Sequence, residues 1–134
     1  MAKALLIEDN IPFRKSFKEM LQTRFPSLEI WEAGNGKEAL QEIEAFPPDL
    51  VFVDIKLPGE NGLVLTKRIK TQHPKIVVLI LTSYDLPEYR EAAFKYHANH
   101  FFTKSSSTRE IVEAVESVLA CLDGDGETRK SRPS

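Results

Sequence analysis

The chain has one cysteine, one tryptophan and two methionines in 134 residues. Cys121 is the only thiol, so no internal disulfide can form, and a reducing cytosol suits the chain. Cysteine and histidine clusters at metal-ligand spacing are missing too. His73, His97 and His100 are scattered, with no acid or cysteine at catalytic spacing, and read as ordinary loop or surface residues. Nor does one sign of charge dominate: Lys and Arg total 18 against 20 Asp and Glu, for a net charge of -2. That balance leaves no electrostatic footprint of a DNA-wrapping or membrane-surface protein. The longer apolar runs, such as Ile76 to Leu81, fall far short of the ~20 residues a membrane helix needs, and the N-terminus lacks an apolar leader core. A cytoplasmic location is expected.

What remains is ordinary globular composition, 42% hydrophobic and 28% charged, at a length that suits one core. Short aliphatic runs alternate with stretches of helical spacing. The runs are Ala4 to Ile7, Leu28 to Trp31, Leu50 to Val53, Ile76 to Leu81 and Phe101-Phe102. The first, third and fourth are apolar without alternation, as central strands of a parallel sheet covered on both faces should be. Between them lie stripes of helical period: Phe13, Phe17, Met20, Leu21 and Phe25; Leu40 and Ile43; Leu65 and Ile69; Tyr89, Ala92, Ala93 and Tyr96; Ile111, Val115, Val118 and Leu122. The pattern predicts an α/β protein of (βα)5 type. Asn35 before Glu38, Asp85 before Glu88 and Ser107 before Glu110 mark helix starts. Asp9 or Asn10 caps the helix that begins at Ile11-Pro12. The expected division is a domain over 1–122 and a polar tail or linker over 123–134, where the apolar pattern stops.

Right-handed βα units put the carboxyl ends of all parallel strands at one edge, where ligands bind open α/β sheets. The first strand leads into Glu8-Asp9, the third into Asp54, the fourth into Thr82-Ser83, and the fifth into Thr103-Lys104. Acids crowded in this way repel one another unless a cation neutralises them. Since the candidate ligands are all oxygen, a hard ion such as Mg²⁺ is preferred to zinc.

Glu8-Asp9, the run Asp54-Ile55-Lys56-Leu57-Pro58-Gly59, Asn61-Gly62, Thr82, and Phe101 three residues before Lys104 together resemble the receiver domain of two-component response regulators. The likeness runs almost to Leu122 and is specific as a set, although each element alone is weak. It implies a flavodoxin-like three-layer sandwich with a parallel five-stranded sheet ordered 2-1-3-4-5. It also implies that Asp54 takes a phosphoryl group from a sensor histidine kinase or phosphotransfer protein. Asp9 and Asp54 would ligate Mg²⁺ directly, Glu8 through water, and Lys56 through its backbone carbonyl. Lys104 would pair with one phosphoryl oxygen and Thr82 would donate its hydroxyl to another. Movement of Thr82 would let Phe101 turn inward and remodel the surface of the fourth helix, fifth strand and fifth helix, a face through which a homodimer could form. Lys56 and Tyr84 stand where the family controls access of water to the acyl phosphate.

The segments around Leu57 to Gly62 and Thr82 to Asp85 most resemble receivers that precede a helix-turn-helix domain, so DNA would be reached only through a domain outside these residues. Two departures stand out. Histidines replace frequent glycines at 97 and 100, and Ser105 replaces the frequent proline after the lysine. Other readings fit less well. A haloacid-dehalogenase type phosphatase needs a second Asp where Lys56 stands, which argues against an enzyme acting on outside substrates. A flavodoxin-like cofactor binder needs a phosphate loop in place of Glu8 to Pro12. A constitutive, unphosphorylated receiver-like module would have no use for the intact acids, Thr82 and Lys104.

Overall fold

In the computed structural model, the backbone of residues 2–131 and the side chains of residues 2–122 are described. In chain order the elements are β1 (Lys3–Ile7), α1 (Ile11–Arg24), β2 (Glu29–Ala33), α2 (Gly36–Ala45), β3 (Leu50–Val53), β4 (Lys56–Leu57) and β5 (Glu60–Asn61). There follow α3 (Gly62–Gln72), β6 (Val77–Thr82), α4 (Pro87–Lys95), β7 (His100–Thr103) and α5 (Thr108–Ser131). The boundary expected between 122 and 123 falls inside α5, and the side chains beyond it lie outside the described residues.

The main sheet runs β2-β1-β3-β6-β7, with every pairing parallel. Because β4 and β5 form a small separate antiparallel pair, this is the expected order 2-1-3-4-5 with the last two strands renumbered. The hairpin turns at Gly59, whose φ of +69° suits a residue without Cβ.

Strands β1, β3 and β6 are central and buried almost throughout, whereas β2 and β7 are edges with mixed burial. Alternate residues of the central strands face opposite layers. Leu5, Ile7, Val51, Val53, Val78 and Ile80 pack with Ile43 of α2, Leu65 and Ile69 of α3 and Ala93 of α4. Ala4, Leu6, Leu50, Phe52, Leu79 and Leu81 pack with Phe17 and Leu21 of α1 and Val115 and Val118 of α5. The sheet is thus the middle of three layers.

Most of the caps form as the sequence indicates. Asn10 accepts the Phe13 N–H at 3.0 Å, Asn35 the Glu38 N–H at 2.9 Å, and Ser107 the Glu110 N–H at 3.2 Å. Asp85 is the exception. Pro87 opens α4 and Leu86 is its cap residue with no side-chain bond, so Asp85 stands one residue too early and instead pairs with Arg90 at 3.3 Å.

Candidate functional site

Register assembles the site. Ile7 of β1 lies beside Val53 of β3, Val53 beside Ile80 of β6, and Thr82 beside Thr103 of β7. The next residues along each chain, Glu8-Asp9, Asp54 and Lys104, therefore emerge at one edge. Backbone bonds fix them there: Asp54 N–H to Ile7 O at 3.2 Å, Glu8 N–H to Ala33 O at 3.0 Å, and Lys104 N–H to Thr82 O at 2.8 Å.

Glu8, Asp54 and Thr82 are buried, at 2%, 6% and 0% exposure, while Asp9 is exposed. The Lys104 ammonium makes ion pairs with Glu8 Oε1 at 2.5 Å and Asp54 Oδ2 at 3.1 Å. Burial pushes the Glu8 carboxyl above its usual range, and the neighbouring Asp54 charge adds to the rise against the lowering effect of Lys104 and the Asn10 N–H. Burial alone would pull Lys104 down, but its contact with Glu8 and the charge of Asp54 outweigh that, so its pKa is raised and the ammonium stays charged. One cation thus serves two buried acids, and a third lies alongside.

Carboxylate oxygens of Glu8, Asp9 and Asp54 all lie within 4.8 Å of one another, so the three acids gather around one point. An all-oxygen set with excess negative charge fits a hard divalent cation. The chain past Asp54 folds back over it, with the Lys56 N–H 3.4 Å from Asp54 Oδ1. Gly62 closes this loop: its N–H donates to Ile55 O at 2.7 Å, and a Cβ here would fall 1.9 Å from the Asp54 carbonyl oxygen. The glycine of the Asn61-Gly62 pair is therefore a steric requirement of the acid's own loop.

Thr82 Oγ1 accepts the Tyr84 N–H at 3.3 Å. The Tyr84 ring meets Lys56 Nζ at 4.8 Å, so the two residues flanking the acid and the threonine touch. Phe101 differs from the expected starting position. Its ring is already inside, 6% exposed, with the Arg90 guanidinium 4.6 Å above it. His97 has a φ of +72°, the left-handed backbone that the missing glycine would favour. His100 stacks on Phe102 at 5.9 Å, and burial lowers its pKa.

One neighbour was not singled out from sequence. Phe13, grouped with the core stripe of α1, lies with its ring 4.5 Å from Lys104 Nζ. The available signal was its place in the first turn after β1, at the same sheet edge.

In a sheet of this order ligands bind at the switch point where strand order reverses, and the acids stand at that edge. Residues 4–116 match the response regulator receiver domain, and the chain belongs to that family. It is 36% identical over 115 residues to an uncharacterised response regulatory protein of Vibrio cholerae serotype O1, covering 84% of this chain and 43% of that protein. It is 33% identical over 116 residues to the transcriptional activator protein ExaE of Pseudomonas putida, covering 87% of this chain and 54% of that one. Among solved structures, a LuxR-family two-component response regulator from Aurantimonas sp. superposes with a TM-score of 0.82 at 30% identity, covering 90% of this chain and 86% of that one. The chain spans about half or less of the length of these curated relatives. Among the described residues, no helix is long and apolar enough to cross a membrane.

Proposed function

We propose that Asp54 is the phosphoacceptor of this receiver domain, taking a phosphoryl group from a histidine kinase or phosphotransfer protein in the cytoplasm. The carrying observation is the convergence of Glu8, Asp9 and Asp54 within 4.8 Å, with Lys104 beside them. An Asp54 carboxylate oxygen attacks phosphorus, the bond from phosphorus to the donor's imidazole nitrogen breaks, and the imidazole leaves with the electron pair. Mg²⁺, held by Asp9 and Asp54, by Glu8 through water and by the Lys56 carbonyl, would supply the positive charge such a transfer needs.

The chain's own groups do the rest. Lys104 exchanges a carboxylate for a phosphoryl oxygen, and the Thr82 hydroxyl turns to donate to another. Phosphorylation adds about -1.5 to -2 charge beside these groups. Lys104 and Thr82 are joined by the bond between β6 and β7, so their movement reaches the surface of α4, β7 and α5. A coupling of ~1–3 kcal/mol there is enough to change partner affinity about 5- to 150-fold. Phe101 contributes by holding its inward place under Arg90. The output would be transcriptional, through a DNA-binding domain outside these residues, as the name of the Pseudomonas putida relative, a transcriptional activator, suggests.

The test is to offer a small-molecule phosphodonor with Mg²⁺ and weigh the protein. Uptake of one phosphoryl group by wild type and none by Asp54→Asn is expected. Equal uptake by the variant would refute the assignment.

A further inference from the structure

We infer that Phe13 is a positioning residue for Lys104, its ring keeping the ammonium at the acceptor when the carboxylates turn to other partners. This rests on the reading of Asp54 as phosphoacceptor and adds a residue to it.

The contacts form a closed circuit. Glu8 Oε1 pairs with Lys104 Nζ at 2.5 Å, while its other oxygen, Oε2, accepts the Asn10 N–H at 3.1 Å. The Asn10 side chain accepts the Phe13 N–H at 3.0 Å, which fixes Phe13 in the first turn of α1. The Phe13 ring then returns to Lys104 Nζ at 4.5 Å. The ring has firm backing: it stacks on Phe17 at 5.8 Å, and Phe17 meets Phe52 of β3 edge-on at 5.0 Å. Phe17 and Phe52 are buried, so Phe13 is braced against the core.

Both anionic partners of Lys104 belong to the acid cluster suited to a divalent cation. A divalent cation held by Glu8 and Asp54 would compete with the ammonium for both of its anionic partners. A lysine stem is flexible, and a released ammonium would swing toward water. An aromatic face attracts a cation without neutralising it and is no ligand for a hard metal ion. Phe13 can therefore hold Lys104 beside Asp54 without competing for the metal. A leucine of similar bulk would fill the space and offer no such attraction.

The test compares wild type, Phe13→Leu and Phe13→Tyr as full chains. Two measurements are made: the rate of phosphorylation by a small-molecule donor with Mg²⁺, and the NMR shifts of the Lys104 ε-methylene protons with and without Mg²⁺. Ring-current displacement of those protons is expected in wild type in both conditions, lost in Phe13→Leu and retained in Phe13→Tyr. The phosphorylation rate should fall about 3- to 10-fold in Phe13→Leu, as expected for loss of a partly buried cation–π contact, and recover in Phe13→Tyr. A Phe13→Leu protein with the wild-type rate, or with Lys104 signals unmoved, overturns the inference. So does a rate that stays low in Phe13→Tyr. Failure of wild type itself to take up phosphoryl would instead sink the reading of Asp54, and the Mg²⁺-loaded Lys104 shifts would still decide the role of Phe13.

Discussion

The two edges of the sheet handle half-buried lysines in opposite ways. At the amino edge, Lys70 Nζ is met by Pro74 O at 3.0 Å, Ile76 O at 2.7 Å and Asn99 Oδ1 at 3.1 Å, with no acid among them. Lys3 sits between Phe46 O at 2.6 Å, Glu42 at 3.6 Å and the Trp31 ring at 4.2 Å. Each ammonium there has ample partners, and the buried acid oxygen that lacks a hydrogen bond, Glu42 Oε2, still lies 3.6 Å from Lys3. At the carboxyl edge one lysine faces two buried acids, with a third close by. A matched cation ties loops together. An unmatched cluster of acids is costly to the fold and is kept for what it can bind.

Five variants probe this difference, the largest effect first. Gly62→Ala would drive a Cβ into the Asp54 carbonyl, so a loss of about 3 kcal/mol in denaturant unfolding, together with loss of phosphoryl uptake, is expected. A stable, active Gly62→Ala would mean the loop over Asp54 is looser than described.

Lys104→Gln and Lys70→Gln form a matched pair. Each should cost about 1–3 kcal/mol, the first by leaving Glu8 and Asp54 without their cation, the second by leaving backbone carbonyls unpaired. Only the Lys104→Gln protein should regain melting temperature with Mg²⁺ by more than wild type does, because the ion no longer competes with an ammonium. An equal Mg²⁺ response in both variants would erase the distinction between the edges.

His97→Gly relieves a left-handed backbone ahead of β7 at the amino edge and should raise stability by about 0.5–1 kcal/mol in thermal melts, with phosphoryl uptake unaltered. Lys56→Ala/Tyr84→Ala removes the contact at 4.8 Å over the carboxyl edge, and dephosphorylation should quicken about 2- to 5-fold. An unchanged rate would show that the pair shields nothing.

Much of this was legible in the chain. Apolar runs without alternation marked β1, β3 and β6 as central, and the acids after them fell at one edge because parallel strands share a direction. The caps at Asn35 and Ser107 could be read because capping is local. Asp85 was misplaced because Pro87, two residues on, moved the helix start. The contact of Phe13 with Lys104 joins residues far apart in sequence and depends on where α1 docks, which no periodicity encodes. The cover that Arg90 gives Phe101 escaped for the same reason, since it comes from α4.

The most direct measurement is intact mass after exposure to a small phosphodonor, with and without Mg²⁺, for wild type and Asp54→Asn. One phosphoryl group on wild type only when Mg²⁺ is present, and none on the variant, is the expected result. Metal-independent uptake, or uptake by Asp54→Asn equal to that of wild type, would contradict the account.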